Sequence, residues 1–388
     1  ALITAVDLGN APLVASITES EAAFRYSVNE DSYNQNYFIV DIGESSTEIF
    51  ISTVDDGNHR NSIAASLGFG ARKTLIEALC VGDYFLLREL MKTSPAGLDT
   101  IVRDQTKYVR EFSSDNRDSL VEDLFSIRVP RDDMSHAADL MPANFGEAFL
   151  ANCAINLGDI ASEDHKSSNV PNLLFLKKRI AFYLGAVIWL SGLMLQPRES
   201  ANISISLLFA GNGSKMIRWL TPDIQRTQYF IHLLFQEASK LNLPQTQFSC
   251  RFSKMPKEEV AYGALLGVAD EYFSLGSTTA SQVQFGRKQQ VGDVEAYRAM
   301  EYDQLQLDTD YDAFANFLRA FKSIAQQSYG WSFDASEYSP SILNLPGIIG
   351  QINGKVDGQG FFLGALEVVR GKYLQDFETT LREKGIIK

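Results

Sequence analysis

The sequence predicts an α/β protein, and three stretches carry that prediction. Tyr37–Val40 (YFIV) is an apolar strand that runs into Asp41-Ile42-Gly43, with a second strand at once in Thr47–Thr53 (TEIFIST). Ile203–Ala210 (ISISLLFA) is an apolar run of the kind found in a sheet covered on both faces, and it ends in Gly211-Asn212-Gly213-Ser214. Leu173–Leu195 is a long apolar helical stretch able to supply one cover.

The remaining elements follow in order. Val54-Asp55-Asp56-Gly57-Asn58 reads as a hairpin turn, because Asp-Gly supplies positive φ. The return strand is about Arg60–Leu67. Gly68-Phe69-Gly70 ends it, and Ala71–Cys80 carries Leu75, Ile76 and Leu79 at helical spacing. From Val81 to Asn172 the text is polar, with weaker amphipathic helices around Ile101–Phe112 and Phe145–Leu157, which predicts an inserted subdomain. Lys177-Lys178-Arg179 leads the apolar helix and is expected at a solvated end, the other reading being a ligand contact. Lys215–Leu220 opens a helix and Thr227–Leu241 forms another. A short strand at Phe248–Phe252 leads to a helix from Lys257 to about Tyr272. Ser274–Asp293 is polar, a linker or an extended strand. Residues 310–328 place Phe314, Phe317, Leu318, Phe321 and Ile324 on one helical face, 340–360 is loop-rich, and Phe361–Glu383 is a final helix.

Composition bounds the function. At about 150 residues per domain, 388 residues make two or three domains. A hydrophobic fraction of 45% is enough for a full core. The net charge of -13 argues against a nucleic-acid backbone or an anionic membrane as the main partner. Cys80, Cys153 and Cys250 are few and scattered, which suits a reducing, cytoplasmic setting, with Cys153 in the core. The best candidate for a membrane span, Ile180–Leu195, is 16 residues without a charge, shorter than the roughly 20 residues of a spanning helix. The first residues, ALITAVDLGN, lack the basic, apolar pattern of a signal peptide and lack an initiator Met, which suggests a chain cut from something longer or processed. His59, His136, His165 and His232 show no metal-ligand spacing.

Three segments are candidates for chemistry. In Asp41-Ile42-Gly43-Glu44-Ser45-Ser46, glycine permits close backbone approach, the serines offer donors to phosphate, and Asp41 suits a hydrated Mg²⁺. A plain Asp-x-Gly hairpin uses the same letters. Gly211-Asn212-Gly213-Ser214-Lys215 lies between a strand and a helix, where open sheets bind ligands, or where Ser214 simply caps the helix. Its spacing to Lys215 is wrong for a Walker A loop. Glu19 and Glu21 lie in ITESEAA, where Thr18 or Ser20 is a candidate helix cap.

These pieces, in this order, resemble the superfamily of actin, the heat-shock-70 chaperones and the sugar kinases, and most of all chaperones and bacterial actin-like proteins. Ile17–Tyr26 (ITESEAAFRY) is similar to the "EPxAA" segment that closes the first lobe, and Asp41–Glu48 to the second phosphate motif. Ser66–Gly70 is similar to the "LGG" turn, Phe209–Ser214 to the adenosine motif, and Glu259–Ala269 (EVAYGALLGVA) to the "AYGAA" helix.

The resemblance implies an actin-like ATPase fold of the ribonuclease-H-like kind. Residues 1–36 would end a first lobe, 37–80 and 173–270 would be the second-lobe core, 81–172 an inserted subdomain, and 271–388 a helical extension packed on the lobe or serving a partner. It implies ATP or ADP with Mg²⁺ as ligands. Glu19 and Asp41 would be the carboxylates near the attacking water and the metal, Asp41 through water. Gly43, Ser45 and Ser46 would meet the β- and γ-phosphates, Gly68 would let the backbone approach, and Gly211, Gly213 and Ser214 would hold the adenosine. Nucleotide state would then govern contact with a protein partner or with further copies of the chain. Val6-Asp7-Leu8-Gly9-Asn10 mimics the family's first phosphate motif but stands too close to Asp41, so most of the first lobe is expected to be missing. Glu44 puts an acid beside the phosphates where chaperones have glycine. An inactive scaffold and a filament-forming segregation protein are therefore the alternatives, with a sugar kinase third.

Overall fold

The structure, a computed structural model, describes residues 2–3, 17–30, 36–55, 58–79, 81, 158, 173–195, 204–253, 255–266, 288–291, 294–297, 313–331 and 361–387. Nearly all of the subdomain expected over 81–172 lies outside them. So do the loop-rich 340–360, the end of the helix expected to reach Tyr272, and Cys80 and Cys153.

Helix α1 (Glu19–Glu30) starts with Glu19 and Glu21 in its first turn, where carboxylates suit the helix dipole. Arg25 pairs with Glu21 one turn away at 2.9 Å. Thr18 or Ser20 is the expected cap; the helix begins at Glu19, which sets Ser20 inside its first turn, and the Ser20 hydroxyl donates to Glu48 at 3.3 Å.

Five strands follow: β1 (Asn36–Ile42), β2 (Thr47–Asp55), β3 (Asn58–Leu67), β4 (Ile205–Ala210) and β5 (Phe248–Phe252). They form one sheet in the order β3-β2-β1-β4-β5. β2 is antiparallel to both β1 and β3, whereas β1, β4 and β5 are parallel. The β2–β3 pairing closes on Asp55↔Asn58, around the Asp-Gly pair read as a turn. The sheet is thus mixed, with only β2 opposed to the rest.

Period-two alternation sends the two faces to different covers. Phe38, Val40, Ile42, Ile49, Ile51, Leu207 and Phe209 belong to the larger buried cluster. It is completed by α2 (Leu173–Met194), α3 (Ile224–Ser239), α5 (Ala313–Tyr329) and α6 (Phe361–Glu383). Phe38 meets Phe235 of α3 edge-on at 4.9 Å, and Phe175 of α2 stacks on Phe377 of α6 at 4.1 Å. The C-terminal helices therefore share the core rather than forming one of their own. On the other face, Tyr37, Ile39, Phe50, Leu208 and Ala210 cluster with Ala22, Ala23 and Phe24 of α1 and Val260 of α4 (Pro256–Leu266). β6 (Lys288–Val291), within the stretch read as linker or extended strand, pairs antiparallel with β7 (Val294–Tyr297), which lies just beyond that stretch.

The expectation of a solvated start to α2 is overturned. Lys177 is 8%, Lys178 0% and Arg179 4% exposed. A buried cation must be paired and hydrogen-bonded, and Arg179 satisfies that rule. It donates to the carbonyls of Thr74 (2.7 Å), Lys73 and Arg370 (3.2 Å), and Glu77 lies at 3.7 Å. It thereby closes the carbonyl end of a π helix (Arg72–Ile76) and ties it to α6. Among the described residues no helix is long and apolar enough to cross a membrane.

Two glycines should respond oppositely to alanine. A Cβ on Gly263 of α4 would collide with the Ala22 carbonyl of α1, so G263A should cost about 1–3 kcal/mol by forcing the helices apart. Gly371 of α6 has nothing within 4 Å, so G371A should gain about 0.5–1 kcal/mol of helix propensity. Denaturant melts of the two variants check the pair.

Candidate functional site

Three turns meet at one end of the sheet. β1 ends in Asp41-Ile42-Gly43, β4 ends in Gly211-Asn212-Gly213, and β3 ends in Gly68-Phe69-Gly70. These three strands run the same way, so all three turns lie at carboxyl ends. β1 and β4 are also the neighbours between which the chain changes direction across the sheet. Ligands of open α/β sheets bind at such a switch point.

Backbone packing holds the turns together. Gly211 has φ 74° and ψ 151°, a conformation that only glycine adopts readily, and a Cβ there would overlap the Asp41 carboxylate and the Ile42 carbonyl. A Cβ on Gly213 would lie 2.6 Å from the Ile42 carbonyl, and one on Gly70 2.6 Å from the Glu44 carbonyl. The Gly43 N–H donates to Ser46 at 2.8 Å, closing a four-residue loop. The carbonyls of Gly43 and Glu44 accept from Ala71 (3.0 Å) and Arg72 (2.8 Å), which cap the helical turn that follows β3.

A buried hydroxyl pair fastens the third turn. Thr47 donates to the Phe69 carbonyl at 2.7 Å, and the Tyr183 hydroxyl of α2 meets the Thr47 hydroxyl. The Tyr183 ring stacks on Phe69 at 5.3 Å. Burial pushes the Tyr183 phenol up from its ordinary pKa, with the Thr47 hydrogen bond opposing that rise. The phenol therefore stays a neutral donor.

The candidate residues divide by their surroundings. Asp41 is 6% exposed and sits directly opposite Glu48 in the β1–β2 ladder. Glu48 accepts from Ser20, so the first turn of α1, with Glu19, lies over the same face as Asp41. Glu44 and Ser45 are exposed and Gly43 and Ser46 half-buried. Gly68 is exposed with nothing within 4 Å, leaving its face open, and the crowded glycine of that turn is Gly70. Ser214 does not cap a helix. Its hydroxyl donates to the Gly211 carbonyl at 2.7 Å inside a 3-10 helix (Asn212–Trp219), since the turn tightens before any α-helix begins. Lys215 follows it, its pKa lowered by burial and by the Arg218 charge.

Sequence reading missed Glu48, Thr47, Gly70 and Tyr183. The first two were accessible, because a four-residue loop from Gly43 to Ser46 sets Asp41 against Glu48 and Ile42 against Thr47. Tyr183 had no local signal.

The donors suit a nucleotide only in part. Ser45 and the open face at Gly68 border the loop, but the Gly43 N–H and the Ser214 hydroxyl already serve the turns themselves. Among the described residues, no group of three or more His, Cys, Asp or Glu side chains could hold a metal ion. A cation at Asp41 would be held through water and phosphate oxygens.

Tyr183→Phe should cost about 1–2 kcal/mol, the price of one buried hydrogen bond, and should loosen the Phe69-Gly70 turn. Amide exchange at Ala71 and Arg72 that rises above the global rate would report it. The chain matches no protein-family model, no curated protein and no solved structure.

Proposed function

We propose that the chain is the nucleotide-binding half of an ATPase of the actin and heat-shock-70 type, coupling nucleotide state to partner contact. The observation that carries this reading is the convergence of three glycine turns at the carboxyl ends of β1, β3 and β4, beside the switch point of the sheet. The strand order β3-β2-β1-β4-β5, with only β2 reversed, makes a mixed α/β sheet that is compatible with a ribonuclease-H-like lobe. The segments similar to "EPxAA" and "AYGAA" come from opposite ends of the matched region, yet they pack on each other at Ala22 and Gly263.

On this reading Ser45 and Ser46 would face the phosphates, the bonded Gly43 backbone would hold their loop in place, and Gly68 would leave room for them. Asp41 would orient the hydrated Mg²⁺, with Glu19 as the second carboxylate. Gly211 and Gly213 would present backbone to the adenosine, Ser214 holding their turn shut. Bound Mg²⁺ would supply neutralisation of phosphate charge.

The second reading is a scaffold without hydrolysis, and Glu44 favours it. Its carboxylate lies in the candidate phosphate loop and pairs with Arg72 at 2.7 Å. Both partners are more than a third exposed, so the pair contributes little to stability.

Calorimetric titration with Mg·ATP separates the two. Gly213 is a poor place to block the site, because its Cβ space is already taken by Ile42 and Gly43. Asp41→Asn should weaken Mg·ATP binding by about tenfold or more, the loss of one charge-assisted contact. Gly68→Trp, on an open surface, should abolish it without lowering the melting temperature. Binding that survives both substitutions, or no binding by the parent chain, would overturn the nucleotide reading.

A further inference from the structure

The rim of the turn cluster carries an ion pair inside the candidate phosphate loop. Glu44 stands at the tip of the loop from Gly43 to Ser46, and Arg72 is the first residue of the π helix that follows β3. Arg72 donates from Nε at 3.1 Å and from Nη2 at 2.7 Å, and both bonds go to Oε1 of Glu44. The Arg72 backbone N–H donates to the Glu44 carbonyl at 2.8 Å, so the main chain fixes where the two side chains meet. The rim around them is exposed. Ser45 follows Glu44 at the tip, and Gly68, one residue past the Thr47↔Leu67 pair, has open space beside it.

Geometry and exposure make this pair a resting contact. A guanidinium fork fits an oxyanion best when two N–H groups meet two oxygens. Here both meet one oxygen, so the Glu44 carboxylate uses the Arg72 fork incompletely. The side chains are 41% and 45% exposed, and an ion pair so open to water contributes little to stability. Breaking it therefore costs little. A phosphate group brings more oxygens and more charge than a carboxylate, and arginine is the side chain whose planar fork matches it. The balance on Arg72 thus favours phosphate over the carboxylate that it holds.

We propose that Arg72 recognises the terminal phosphate of the ligand, and that Glu44 occupies Arg72 in the unliganded chain as an internal stand-in for that phosphate. On the reading of the glycine turns as a phosphate site, on which this rests, binding exchanges one oxyanion for another. The phosphate oxygens take the Arg72 N–H donors, and the Glu44 carboxylate turns to solvent. Glu44 then acts as a selectivity element, because a ligand without a phosphate has nothing with which to displace it.

Titration calorimetry of the full chain with inorganic tripolyphosphate, Mg·ATP and adenosine tests the exchange. Glu44→Gln should tighten binding of tripolyphosphate and Mg·ATP by about twofold to fivefold, because the competing carboxylate is gone. Arg72→Gln should weaken both by about tenfold, through lost charge-assisted hydrogen bonds. Adenosine binding should respond to neither substitution. Arg226→Gln, an equal change of net charge at an exposed pair on α3, should leave all three titrations unchanged. Because the Glu44–Arg72 pair is exposed, melting temperatures should stay near that of the parent, which separates lost binding from lost folding. Tripolyphosphate binding seen only in Glu44→Gln would also support the proposal. Arg72→Gln that binds tripolyphosphate as the parent does, Glu44→Gln that binds it more weakly, or no binding by either the parent or Glu44→Gln would sink it. Tripolyphosphate binding through Arg72 without Mg·ATP binding would keep the exchange and remove the nucleotide reading. Mg·ATP binding indifferent to Arg72 would do the reverse.

Discussion

Direct backbone-to-backbone packing at the carboxyl end of the sheet is the constraint on which the rest of this structure depends. Gly211 and Gly213 press against Asp41, Ile42 and Gly43, and Gly70 presses against Glu44. Interiors are packed to the density of organic crystals, so three turns can share that space only if some of them carry no side chain. Once they share it, β1 and β4 are locked side by side and Asp41 is buried at their boundary. Among the described residues of these turns, the same contact leaves Gly68 and the Glu44-Ser45 tip exposed.

The turns would drift apart without support from behind. Thr47 and Tyr183 hold Phe69, Arg179 closes the π helix, and Arg370 of α6 joins Glu77. Each link uses a polar group that is costly to bury alone and cheap to bury when paired. Arg179 at the start of α2 is a structural joint for this reason. Its hydrogen bonds to the backbone carbonyls of Lys73, Thr74 and Arg370 tie α2 and α6 to the turns.

Much of the architecture was legible along the chain. Phe248–Phe252 and Phe361–Glu383 have the bounds that their patterns predicted, and the hairpin letters at Asp55–Asn58 close the β2–β3 pairing. Strands and amphipathic helices announce themselves through local periodicity. The three glycine turns were legible as turns at strand ends, and the Asp41–Glu48 pairing could have been added from loop length alone. What was not legible was the fate of polar residues. Lys178 looks like a surface residue in sequence and is fully buried, Ser214 looks like a cap and closes a turn, and Ser20 looks like a cap and reaches Glu48.

The sequence by itself determined the elements, the alternation that gives the sheet two apolar faces, and the placing of glycines where strands end. These are properties of short windows, where side-chain spacing and φ preference act over a few residues. Only the tertiary structure decided which turns touch, which cations are buried, and that helices from the last third of the chain complete the core. Those outcomes pair residues such as Arg179 with Thr74, or Phe175 with Phe377, across separations at which no local pattern constrains the partner. The closeness of Gly211 to Asp41 belongs to that second class, because it depends on two strands meeting rather than on either strand's own letters.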